Sequence, residues 1–81
     1  METRVGVIAI VIENINFAPK VNEILHEYSS IIVGRMGIPY KEKGISVISV
    51  IVDGTTDVIS ALTGKLGKVS SVNVKSAITK K

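Results

Sequence analysis

Cysteine is absent from this chain, and with it go disulfides, thiolate metal sites, iron–sulfur ligation and cysteine nucleophiles. That absence fits a reducing compartment. Histidine is nearly absent too: His26 stands alone, so general-base capacity near neutral pH is small. One imidazole without cysteine does not complete a tetrahedral or square-planar metal site by itself. Apolar runs are strand-sized and fall well short of the ~20 residues of a spanning helix, so no membrane passage is expected. The opening METRVGVIAIVIE has a single arginine and an apolar run ended by Glu13, with no small-residue cleavage site after it, so it is not read as a signal peptide. A cytoplasmic protein is expected. Concentrated charge is missing as well. The formal net charge is +3, and Lys20, Lys41, Lys43, Lys65, Lys68, Lys75, Lys80 and Lys81 are spread along the chain, as on a solvated surface rather than a basic stripe.

What remains is apolar and short. With 81 residues and 46% hydrophobic side chains, the chain is expected to form one domain, residues 1–81, and is too apolar for disorder. Arg4 to Ile12 reads as a strand apolar on both faces, Val5, Val7, Ala9 and Val11 opposite Ile8, Ile10 and Ile12. Asn16 is a candidate cap for a helix with Pro19 in its first turn, and Val21, Ile24, Leu25 and Tyr28 place one apolar stripe along it. Ile31 to Gly37 follows as a strand interrupted by Gly34 and Gly37, with Pro39 expected to end it. Gly44 suits a positive φ in the turn Tyr40 to Gly44, and Ile45 to Val52 is again apolar on both faces. Asp53 and Gly54 read as a turn and Thr55 or Thr56 as the next cap, with Asp57 in the first turn. Val58, Ile59, Leu62 and Leu66 form a stripe, Gly67 reads as a C′ glycine, and Gly64 is a candidate packing contact. Val69 to Ile78 is the last strand.

This order, βαββαβ, repeats one unit twice and predicts an α+β ferredoxin-like sandwich, a four-stranded sheet with two helices on one face. In that arrangement the first and third strands are central. The second and fourth are edges, where Arg35 and Lys75 discourage stray pairing. Two helices cover only one face of the sheet, yet both central strands are apolar on both faces. A homodimer or higher homo-oligomer is therefore expected, formed by stacked sheets or joined edges.

Candidate chemistry is sparse. His26 lies off the apolar stripe of its helix, the expected place for a solvated side chain, and no Ser, His and Asp set suggests itself, so neither catalytic nor metal-ligating residues are expected. DGTTD before a helix is accounted for by ordinary capping. GRMG is the more unusual stretch, because glycines in a strand mark a bulge or a backbone approached by a ligand or partner. The polar connection Glu13 to Asn16 is a plausible lip at the end of a central strand. The candidate ligand-binding or interface residues are accordingly Asn14, Asn16, Gly34, Arg35, Met36, Gly37 and Tyr40.

The runs HEYSSIIVGRMGIPY, KEKGIS and DGTTDVISALTGKLG, within a likeness spanning about Val5 to Thr79, resemble the small regulators associated with iron-only hydrogenase systems. That group is ACT-like and similar to the ligand-binding domain of the nickel-responsive repressor. The resemblance implies pairing through sheets or edge strands, a small-molecule effector near a subunit interface and a regulatory role without catalysis. It does not carry the repressor's metal site across, since cysteine is missing and the histidine lies on a helix, and no cofactor is expected. Only Met1 to Thr3 precede the first strand, so a separate DNA-binding module is not expected. ENINFAPK stands where ACT domains usually carry a turn with proline and glycine, a departure from their amino-acid effector site. The competing expectation is a DNA-binding regulator whose oligomer gathers Arg35, Lys41, Lys43, Lys75 and the terminal lysines on one surface.

Overall fold

A computed structural model describes residues 2–80. Its elements are β1 (Arg4–Ile12), α1 (Ala18–Glu27), β2 (Ile32–Tyr40), β3 (Ile45–Gly54), α2 (Thr56–Gly67) and β4 (Val72–Ile78), with single 3₁₀ turns at Ile15–Phe17, Ser29–Ile31 and Lys41–Lys43. The strands form one antiparallel sheet in the order β2-β3-β1-β4. The fold is the expected ferredoxin-like sandwich, with β1 and β3 central.

The core lies between one sheet face and the two helices. Ile8, Ile10 and Ile12 of β1 and Ile48, Val50 and Val52 of β3 are buried against Val21, Ile24 and Leu25 of α1 and Ile59, Leu62 and Leu66 of α2. Alternation does this: even-numbered residues of both central strands point at the helices, because successive side chains of a strand face opposite ways. At roughly 1.5–3 kcal/mol for each fully buried aliphatic side chain, these twelve supply most of the gross stabilisation.

Several local expectations are corrected. Asn16 is not a side-chain cap; Asn14 is, its Oδ1 accepting from the Asn16 N–H at 3.0 Å at the start of the first 3₁₀ turn. That turn leads straight into α1, whose N-cap Phe17 offers no side-chain acceptor, while Pro19 sits in the first turn as expected. Pro39 does not end β2, which continues to Tyr40 with Pro39 opposite Ser46. An edge strand tolerates proline, since one side of its backbone has no ladder to feed. β3 runs on through Asp53 and Gly54, which lie opposite Val5 and Arg4. Thr55 caps α2, Oγ1 accepting from the Val58 N–H at 3.2 Å. Gly67 is the last residue of α2 and not a left-handed C′ glycine; right-handed Lys68 follows, and the positive φ comes at Ser71 (63°), whose carbonyl accepts from the Glu13 N–H at 2.8 Å. A Cβ on Gly64 would touch nothing within 4 Å, so this glycine marks no packing contact. β4 begins at Val72 rather than Val69. Gly44 does take the left-handed turn position, at φ 66°.

Candidate functional site

The face of the sheet away from the helices is apolar and open. Across it, Gly34, Ile51, Val7 and Ala77 form one row, Met36, Ser49, Ala9 and Lys75 a second, and Ile38, Val47, Val11 and Asn73 a third. Val7 and Ile51, directly opposed near the middle, remain 42% and 43% exposed, and Met36 and Ile38 on the edge rise to 63% and 55%. Contiguous patches of large aliphatic side chains on a sheet mark surfaces that another molecule covers.

A bulge determines which residues of β2 join this face. Ile32 is opposite Val52 and Gly34 opposite Ile51, so Val33 is an extra residue with no partner of its own. Because the side-chain period is two, one inserted residue reverses every facing beyond it. Ile32 packs on the core, whereas Gly34, Met36, Ile38 and Tyr40 turn to the open face and Arg35 and Gly37 to the helical one. Arg35 is thereby aimed at α1, where its Nη2 donates to Asn22 Oδ1 at 2.6 Å. The candidate stretch is thus split: Gly34, Met36 and Tyr40 share the apolar face, and Arg35 braces the edge strand against a helix.

Asn14 and Asn16 lie at the hairpin end of the sheet. There, Ile15 between them joins Ala18, Pro39, Lys41, Gly44, Ile45 and Ser46 around a cavity of about 390 Å³. This cavity is what brings the Asn14–Asn16 connection and the end of GRMGIPY together. Its volume is at the lower end of those that hold small molecules, and its walls are mostly apolar. The sequence signal that points to it is Ile15, an aliphatic residue standing exposed inside a polar turn.

Charge is arranged on the helical side and the rim. Lys65 of α2 pairs with Glu27 of α1 at 3.2 Å and lies 5.4 Å from the centre of the Tyr28 ring. The hydrogen bond and the negative charge of Glu27 raise the Lys65 pKa above its ordinary value. Asn73 of β4 donates to Glu13 at 2.7 Å, tying the end of β1 to the edge. Arg35 and Lys75 occupy opposite edges and opposite faces of the sheet, with Lys41 and Lys43 in the hairpin turn, so one chain by itself does not gather these cations; Lys81 lies outside the described residues. Among the described residues no group of three or more His, Cys, Asp or Glu side chains stands ready for a metal ion, and no helix is long and apolar enough to cross a membrane. His26 is exposed on α1.

A four-stranded antiparallel sheet in the order β2-β3-β1-β4 with two helices on one face defines the class, an α+β ferredoxin-like module. Residues 4–76 match the family described as "TM1266-like: Iron-only hydrogenase system regulator, putative", and the chain belongs to that family. A solved structure, that of an uncharacterized protein TM1266 from Thermotoga maritima, is similar with a TM-score of 0.92 and 39% sequence identity, over 98% of this chain and 100% of that one. No curated protein matches.

Proposed function

We propose that this protein is a homo-oligomeric regulatory module of an iron-only hydrogenase system, in which the open sheet face pairs with a second copy and a small effector occupies the hairpin-end cavity. The observation that carries the reading is the apolar centre of that face, Val7 and Ile51 with Val47, Met36 and Ile38 around them. Four strands at ~4.8 Å spacing and about nine residues at ~3.3 Å each give a face of roughly 19 by 30 Å. That is ~570 Å² before side-chain relief is added, comparable with the ~800 Å² per partner of a standard interface. The face is rimmed by Lys75, Asn73 and Asp53, which supply opposite charges for alignment at the margins and leave the middle free of them.

The family description supports a regulatory role, and the cavity bounded by Ile15, Pro39 and Ile45 supports a small, largely apolar effector. Ile45 and Tyr40, opposed in register, extend from the cavity toward the open face, so an occupant there sits close to the proposed interface. Binding that favours one packing of the subunits over another is the elementary form of such a switch. Two measurements test the reading together. Sedimentation at low micromolar concentration is expected to give a dimer or larger species, and a metabolite panel is expected to yield at least one compound that raises the melting temperature. A stable monomer removes the pairing, and a panel without effect removes the effector. In a host carrying an iron-only hydrogenase, deletion of the gene is expected to alter hydrogenase expression or activity, and unchanged levels would contradict the regulatory role.

A further inference from the structure

The second cavity of note lies on the helical side, across the sandwich from the open face, and shares no lining residue with the hairpin-end cavity. It is a groove of about 420 Å³ lined by Phe17, Lys20 and Ile24 at one wall, Lys65 and Lys68 at the other, and Val69 and Ser70 beyond the end of α2, with Glu27 also at its border. Its composition is unusual for a chain whose lysines are scattered in sequence. Three of them converge here on a floor made by buried Ile24, half-buried Val69 and half-buried Phe17, the one phenylalanine of the chain. Against three ammonium groups the lining holds a single carboxylate, Glu27, which is engaged by Lys65 at 3.2 Å. Lys65 is further held beside the Tyr28 ring, so the pair is a positioned part of the wall. Among the described residues Lys20 pairs with Glu23 alone, at 3.7 Å and in solvent, a contact weak enough to be exchanged for a better one.

We propose that this groove binds a small organic anion with an apolar body, its phosphate or carboxylate held between Lys20 and Lys68 and its hydrocarbon part on Ile24, Phe17 and Val69. Cations set above an apolar floor favour an amphipathic anion over either a bare ion or a neutral hydrocarbon, because each half of the ligand meets its complement and neither is left desolvated and unpaired. The site is independent of the sheet-face reading, since it lies on the opposite side of the sandwich and stays open whether or not the sheet is paired.

Phenyl phosphate is the probe, with inorganic phosphate and phenol as its two halves, titrated into the isotopically labelled 81-residue chain and followed by amide chemical shifts. Saturable shifts are expected for phenyl phosphate at Lys20, Ile24, Lys68, Val69 and Ser70, with both halves binding more weakly. The Lys20→Gln/Lys68→Gln double variant is expected to weaken the Kd about threefold or more, as fits loss of exposed ionic contacts, while Lys43→Gln at the hairpin turn leaves it unchanged. Both replaced positions are exposed, and an unchanged amide spectrum elsewhere verifies folding. The proposal is overturned by unsaturable shifts spread over all lysines, by inorganic phosphate binding as tightly as phenyl phosphate (an adventitious ion only), or by undiminished affinity in the folded double variant.

Discussion

Replacing Ile51 separates the two sides of the sheet more sharply than any other single change. Ile51 sits opposite Val7 on the open face and is 43% exposed in one chain, so the fold itself has already buried the remainder. Full burial of isoleucine is worth about 1.5–3 kcal/mol, and the share left for a partner to cover is then ~0.6–1.3 kcal/mol per subunit. A two-fold interface counts this twice. Ile51→Thr keeps a β-branched residue in the strand but forfeits most of that burial, an expected loss of ~1–2.5 kcal/mol in dimerisation, or roughly five- to seventyfold in Kd. Ile51→Lys adds an unpaired charge in each subunit, costing several kcal/mol per buried ion, and is expected to abolish the dimer at micromolar concentration. Sedimentation velocity across a dilution series measures the Kd, and circular dichroism verifies that strands and helices persist. Should folded Ile51→Lys associate as tightly as the parent chain, the open face is not the interface and the reasoning fails.

The remaining predictions concern the scaffold. Leu62→Ala empties part of a fully buried site beneath α2 and is expected to cost about 2–5 kcal/mol in denaturant unfolding. Gly44→Ala forces a Cβ into φ 66° and is expected to destabilise by ~1 kcal/mol in the same assay, whereas Gly64→Ala, exposed inside α2 with open space around it, is expected to stabilise by about 0.5–1 kcal/mol. The pKa of Lys65 is raised in the folded chain, so the stabilisation from its pair with Glu27 is present at neutral pH and is lost as pH rises through the raised value. Glu27→Gln is expected to return the Lys65 titration, followed by side-chain NMR, toward the ordinary lysine range and to flatten that alkaline dependence.

The architecture was legible because the periodicities are clean. Val5 to Ile12 is apolar on both faces, the mark of a central strand, while Val21, Ile24 and Leu25 recur at helical spacing; that Ile8, Ile10 and Ile12 are the residues facing the helices is seen only in the folded chain. The two apolar faces of β1 and β3 were also plain from composition. The facing of β2 was not, since it depends on the bulge at Val33, and no residue type announces which of two neighbours in an edge strand will be left unpaired. Arg35 and Met36, grouped by sequence, face opposite ways by strand alternation alone, and the bulge decides that it is Arg35 that turns to the helices and bonds to Asn22. Proline misled for a related reason: Pro39 is permitted in an edge strand where a stop was expected, whereas α2 does end at Gly67, only without the left-handed glycine. The hairpin-end cavity joins Ile15 to Ile45, and the helical groove joins Lys20 to Lys68, distances in sequence that only the folded chain closes.

The central claim is that a second copy covers the open sheet face, and a mixed-label experiment tests it directly. In a sample prepared from equal amounts of isotopically labelled and unlabelled chains, filtered nuclear Overhauser spectra register only contacts between subunits. The account predicts intersubunit contacts from the methyl groups of Val7, Val47 and Ile51; a spectrum without them, from a species sedimenting at 8.6 kDa, would contradict it.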